Sequence, residues 1–197
     1  MSVEFRVLGP LEVLLDGEPV TLPAGRSQVL LATLLLRPNQ FVSVDELVDR
    51  LWDGEPPTAD RAHKTLQMVV TRLRQSLGAA NCVRRAGGGY LADIGQDELD
   101  LLRFRALAGS GDFAAAIALW RGPVLGNVRS DALHRDDVPP LVDERLVVLE
   151  RRIDADLNRG HASELVAELR SLVAEHDSGS SGRFRTSASS VTAGCSS

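Results

Sequence analysis

Residues 58–77, TADRAHKTLQMVVTRLRQSL, constrain this chain more than any other stretch. Ala62, Leu66, Val69, Val70, Leu73 and Leu77 recur at three- and four-residue steps, so on a 3.6-residue helix they form one apolar stripe that must face a core. The same geometry puts Arg61, Lys64, Met68, Thr71 and Gln75 on the opposite face, with Thr65 and Arg72 on one flank and Gln67 and Arg74 on the other. An ordinary solvated helix mixes both charge signs on its outer face, whereas here no acidic residue interrupts the basic ones from Arg61 to Gln75. Arg, Lys, Gln and Thr are side chains that reach phosphates and base edges in a major groove, which admits one helix. The pattern predicts a DNA-recognition helix.

A net charge of −5 looks wrong for a partner of DNA, so the distribution matters more than the total. Residues 58–90 carry Arg61, Lys64, Arg72, Arg74, Arg84 and Arg85 against Asp60 alone. Residues 96–177 carry 10 basic and 16 acidic residues, so the acidity sits in the second half. That asymmetry predicts two domains with different partners, and a 197-residue chain has room for both. Two cysteines far apart, Cys82 and Cys195, support neither a disulfide framework nor a zinc site. MSVEFRVLGP lacks the blocks of a signal peptide, and the apolar run 29–36 is too short to span a bilayer; a cytoplasmic, nucleoid-associated protein without membrane contact is expected.

The chain opens with alternating Val3, Phe5, Val7 and Leu11, Val13, Leu15 around Gly9-Pro10, then Asp16-Gly17 and Val20, Leu22: three short antiparallel strands. Residues 26–36, apolar almost all round, predict a buried helix that stops at Arg37-Pro38. Ser43 with Glu46 three residues on predicts a capped short helix ending near Trp52. A stiff acidic turn, Asp53-Gly54-Glu55-Pro56-Pro57, leads to Thr58, the expected cap of the recognition helix. After Gly78, two extended runs at 82–85 and 90–92 flank three glycines and read as a hairpin, the wing.

Sheet, three helices and hairpin, with Gly89-Tyr90 in the hairpin, resemble the winged-helix effector domain of OmpR-type response regulators. More closely, the chain resembles the Streptomyces antibiotic regulatory protein family of activators, through FRVLGPLEV, LVDRLWDGEPP, LQMVVTRLRQSLG and GGGYLADI in family order. Farther on, LDLLRFRALAGSGDFAAAIALWRGPVLGNV and LVDERLVVLERRIDADLNRGHASELVAELRSLVAEH resemble the bacterial transcriptional activator domain of that family. The resemblance covers residues 3–176. It implies an activator that binds direct repeats in the double-stranded promoter DNA of secondary-metabolite genes, as a homodimer in one arrangement, and recruits RNA polymerase through its sigma or alpha subunit. It carries the family's DNA-contacting positions onto Lys64, Thr71, Arg72 and Arg74. Met68, Thr65, Gln67 and Gln75 join them as base-edge or flank candidates, and Arg61 lies nearby. OmpR-type wings often have Arg directly after Gly-Tyr, where this chain has Leu91. Arg84 and Arg85 either take over that contact or are solvated strand-end charges. The resemblance also assigns the acidic turn, with Trp52, Asp53 and Glu55, to polymerase.

From Leu99 onward the pattern turns helical. Leu99, Leu102, Phe104, Leu107 and Ala108 mark one helix, and residues 113–120 an Ala-rich partner stopped by Gly122-Pro123. Residues 124–137 show no period and read as loop. Two further helices follow, through Leu141 to Leu157 and through Leu165 to Val173, so the fold class is mainly α with small β-sheets: an OmpR-type winged helix-turn-helix (residues 1–95), then an α-helical tetratricopeptide-like domain (residues 96–176). Trp120 reads as core. Residues 177–197, with eight Ser and three Gly, predict a disordered tail on an incomplete activator domain. Stopping there is expected to leave the 165–173 helix uncovered and prone to self-association.

Catalytic readings fail for want of partners. Gly87, Gly88 and Gly89 lack the GKS or GKT of a phosphate loop, and neither His134 with Asp136 and Asp137 nor His161 with Glu164 reaches the ligand number a zinc site needs. No enzyme activity and no cofactor or metal is expected. The competing function is a helical-repeat interaction adaptor whose winged helix does not bind DNA.

Overall fold

Two alternating apolar runs joined by short turns become a small antiparallel sheet. In the computed structural model, which describes residues 2–158, β1 (Val3–Arg6) pairs with β2 (Glu12–Leu15), Phe5 opposite Val13 on the buried face. Asp16 and Gly17 take φ of 51° and 86°, the primed turn that suits the twist of a hairpin. The third strand differs from expectation. β3 is Glu18–Pro19, paired with Leu15 and Leu14, and Val20 keeps only a bond to the Val13 carbonyl. Pro19 stands opposite Leu14 at a position that makes no ladder bond to β2, so its missing N–H faces the open edge of the sheet.

α1 (Arg26–Leu36) runs through the centre of the core and is buried from Val29 to Leu36. Inside it, Thr33 Oγ1 donates to the Val29 carbonyl at 2.8 Å. α2 (Val44–Leu51) starts as its sequence predicts: Ser43 accepts from the Glu46 N–H, and Leu47, Val48 and Leu51 are buried. α3 (Ala59–Leu77) follows the proline-stiffened turn. Thr58 occupies its N-cap position, yet its hydroxyl makes no capping bond, contrary to the sequence reading. Asp60 in the first turn is left to face the helix dipole.

β5 (Val83–Ala86) and β6 (Gly89–Ala92) form the expected wing hairpin. A third strand that the sequence did not reveal, β4 (Val42–Ser43), pairs with β6, giving the order β4-β6-β5. Two residues are too few to display an alternation. β4 nevertheless fastens the wing to the start of α2. Cys82 lies at the base of the hairpin, where burial pushes its thiol up to about 12, so it stays protonated and unreactive.

The helical half begins with α4 (Asp100–Ser110), closed by Gly111 at φ 86°, and α5 (Phe113–Ala118), capped by Asp112. α6 is Val138–Asn158. The 124–137 segment, expected as loop throughout, ends instead in a wide π-type turn at Leu133–Asp137 that feeds directly into α6. Pro139 and Pro140 explain the widening: both lack an N–H, and their rings crowd the carbonyls one turn back, so a regular α-turn cannot be kept there. Trp120 is half-buried, edge-on to Phe104 at 5.4 Å with Arg145 across its ring.

Residues 1–152 form one compact unit and residues 153–197 a second, of which only the end of α6 is described. Within the first unit the β1–β2 region is laced to the helical half. Asp100, 2% exposed, accepts from the Val7 and Leu8 N–H groups at 2.9 Å, and Asn127 exchanges two bonds with the Leu11 backbone. Arg50, also buried, reaches Asp136 at 2.8 Å, Asp137 at 3.2 Å and the Ala132 carbonyl. The expected 165–173 helix and the 177–197 tail lie outside the described residues.

Candidate nucleic-acid interface

Burial sorts the residues of α3 into two faces. Ala62, Leu66, Val69, Val70, Leu73 and Leu77 are the buried ones, the apolar stripe read from the sequence. Arg61, Lys64, Gln67, Met68, Thr71, Arg72 and Gln75 are exposed, and Thr65 is half-buried on the flank nearer α1. Met68, 54% exposed in the middle of a polar face, is a costly surface residue for a protein in water and a useful one against a thymine methyl. Thr71 turns its hydroxyl back to the Gln67 carbonyl at 2.9 Å, leaving its methyl to face outward.

Electrostatics separates the four basic residues of this helix. Arg61, Lys64 and Arg72 meet no carboxylate among the described residues, so their charge is not spent inside the fold. Arg74 is different. It is half-buried between α3 and the wing, its guanidinium 5.9 Å from the Tyr90 ring centre and its Nε buried without a partner. It holds the wing as well as presenting charge.

On the wing, Arg84 and Arg85 are both exposed. Arg84 has Asp93 at 3.6 Å, a screened surface pair, and Arg85 lines the cleft of about 360 Å³ between the wing and α3, with Gln67 and His63 on the opposite side. Gly89 is the reason this cleft closes. A Cβ there would lie 2.0 Å from the Val42 carbonyl oxygen, so only glycine lets β4 and β6 approach.

The acidic turn is built differently from its sequence reading. Asp53, at φ 51°, points its carboxylate at the start of the π-turn segment, accepting from Ser130 Oγ at 2.9 Å and the Ala132 N–H at 3.0 Å. Trp52 is half-buried with Arg26 stacked at 4.6 Å. Glu55 remains exposed with no ion pair among the described residues. Sequence reasoning could not have found the Asp53 contact, because Ser130 and Ala132 lie in a segment without periodicity.

No helix among the described residues is long and apolar enough to cross a membrane. Residues 17–91 match the family described as Transcriptional regulatory protein, C terminal, and residues 99–180 the Bacterial transcriptional activator domain. The chain is 33% identical to the transcriptional regulatory protein EmbR of Mycobacterium tuberculosis over 193 residues, covering 88% of this chain and 49% of EmbR. It is 33% identical to the regulatory protein AfsR of Streptomyces coelicolor over 89% of this chain and 19% of AfsR, and 31% identical to the regulatory protein DnrI of Streptomyces peucetius over 88% and 72%. A solved structure of Mycobacterium tuberculosis EmbR in complex with a low affinity phosphopeptide superposes with a TM-score of 0.75 at 31% identity, over 89% of this chain and 51% of that one. The chain thus spans about half the length of EmbR. With both domains matched in order and most of DnrI covered, the chain belongs to the Streptomyces antibiotic regulatory protein family of transcriptional regulators, an OmpR-type winged helix followed by a bacterial transcriptional activator domain.

Proposed function

We propose that this protein activates transcription of secondary-metabolite genes by binding direct repeats in their promoters through α3 and the wing. The observation that carries the reading is the outer face of α3, where Arg61, Lys64 and Arg72 stand around Met68, Thr71 and Gln75 without carboxylate partners among the described residues. Lys64 and Arg72 are long enough to meet phosphates and guanine edges, Gln67 and Gln75 suit adenine, and Arg61, Arg84 and Arg85 suit the sugar-phosphate backbone. Thr65 and Arg74 support the flanks. A homodimer on adjacent repeats adds the contacts of two such faces.

A mobility-shift assay on a duplex selected by the protein from a random library tests the binding half. Retarded, salt-sensitive complexes on tandem half-sites are expected; an interaction adaptor gives none on any duplex.

The recruiting half of the proposal rests on the turn before α3, which phosphate would repel and an RNA polymerase subunit, sigma or alpha, would not. With the Asp53 carboxylate engaged by Ser130 and Ala132, Glu55 is the acidic group there without a partner among the described residues, close in sequence to Trp52. Glu55→Ala is expected to leave DNA affinity unchanged and to reduce run-off transcription several-fold in a purified system. Unreduced transcription would make the turn a connector only.

A further inference from the structure

We infer that a backbone phosphate of the bound DNA sits in the cleft between the start of α1 and α3, where Arg129 of the helical half is one of its ligands. The inference rests on the DNA-binding reading above and extends the interface beyond the winged helix.

The cleft holds about 570 Å³ and collects positive charge from three separate parts of the chain: Arg26 on α1, Arg72 on α3 and Arg129 ahead of the π-turn. None of the three meets a carboxylate among the described residues. The other charged groups lining it are already used. Arg50 is neutralised by Asp136 and Asp137, and the Asp53 carboxylate is turned to Ser130 and the Ala132 N–H.

The eleven-residue α1 opens into this cleft from Gly25, with no side chain capping it and no acidic residue in its first turn. Its unsatisfied N–H groups and positive dipole end favour an anion. A second, independent feature points the same way. Ser27 is only 5% exposed, lines the cleft, and makes no hydrogen bond through its hydroxyl among the described residues. Ser27 is packed in, but its oxygen opens to the cleft, where it is free to donate to an anion. A phosphate oxygen would accept that bond.

The identity of the anion follows from the opposite wall of the cleft. Thr65 and Arg72 form one flank of the proposed groove-reading face and Met68 its middle, so a helix lying in a major groove about 12 Å wide brings the phosphates of one strand along this side. The other strand runs along the wing cleft with Arg85. Recognition by α3 is thereby bracketed, and Arg129 ties the activator domain to the same duplex.

The test uses the full chain and the duplex it selects, comparing Arg129→Gln with Arg105→Gln. Arg105 is paired with Glu144 on the α4–α6 side, and its replacement makes the same change in net charge. Arg129→Gln is expected to flatten the slope of log affinity against log salt by about 0.9, and Arg105→Gln to leave it unchanged. A scan of single neutral methylphosphonates along the duplex should find one position whose replacement weakens wild-type binding but adds no loss in Arg129→Gln. Equal slopes for wild type and Arg129→Gln overturn the inference. So does saturable binding of inorganic phosphate to the DNA-free wild type that Arg129→Gln abolishes without altering the DNA slope, because the cleft would then serve a free phosphorylated ligand. Failure of the wild type to select any duplex is a separate outcome, which removes the DNA-binding reading itself.

Discussion

Asp100→Ala is expected to lower the unfolding free energy by about 4 kcal/mol, the larger of two effects on stability derived from this fold. The carboxylate is buried at the start of α4 and accepts from two backbone N–H groups of the β1–β2 region, with Arg121 at 3.6 Å. Alanine leaves both donors in a space that water cannot fill freely, and each orphaned donor costs about 1–3 kcal/mol. Against a total stability of roughly 5–15 kcal/mol, that is a large fraction, equivalent to a fall in Tm of about 10 °C. The pH dependence carries a second signature. Burial raises the Asp100 pKa against the opposing pull of the Val7 and Leu8 N–H groups. The folded state therefore holds this proton more tightly than the unfolded chain, so Asp100 makes stability fall as pH rises from the ordinary carboxylate value through the folded one. Thermal unfolding from mildly acid to neutral pH should show that component in the wild type and lack it in Asp100→Ala. A variant as stable as the wild type at neutral pH would show that the joint between β1–β2 and α4 does not depend on this carboxylate.

Gly89→Ala is expected to cost about 3 kcal/mol and to detach the wing from α2. The added Cβ would stand 2.0 Å from the Val42 carbonyl oxygen and 2.9 Å from the Val42 carbonyl carbon, both backbone atoms that no rotamer change can move. β4 and β6 must then part, breaking the Val42–Tyr90 and Ser43–Gly89 pairing and the bond from the Val44 N–H to the Gly88 carbonyl. Tyr90 would shift with the strand, and Arg74 would lose the ring it lies over. Gly88→Ala is the matched control, since a Cβ there meets nothing within 4 Å. Hydrogen exchange at the Val42, Val44 and Tyr90 amides reads the outcome directly: loss of protection in Gly89→Ala alone is expected, and equal protection in both variants would refute the close-approach argument.

These two residues also mark what a sequence can and cannot reveal. Periodic information was legible: the buried stripe of α3, the helix of residues 26–36, the Ser43 cap and the wing hairpin all follow from spacing within one element. Information that joins distant segments was not. Asp100 looks like any first-turn acid, and its contact with Val7 spans 93 residues. Gly89 reads as one of three wing glycines until the two-residue β4 is placed against it. Asp53 reads as an exposed acid of a turn, because nothing local announces Ser130. Thr58 has the right chemistry for a cap and no capping bond, since the proline-stiffened approach sets the backbone geometry before the hydroxyl can act. Arg129 sits in a stretch with no period at all, and only the cleft gives it meaning. The outer face of α3 lay between these cases: its composition was plain in the sequence, while the distinction between Arg61, Lys64 and Arg72, unpaired among the described residues, and wing-bound Arg74 required the fold.

The central claim is that the outer face of α3 lies against a nucleic-acid duplex, and its most direct test is the salt dependence of binding. Affinity of the wild type and of the Arg61→Gln, Lys64→Gln, Arg72→Gln triple variant for the selected duplex is measured across a salt series, with circular dichroism to verify that both are folded. Three phosphate contacts removed together should flatten the log–log slope by about 2.7 and weaken binding at every salt concentration. A triple variant that is folded and binds with the wild-type affinity and slope would contradict the account.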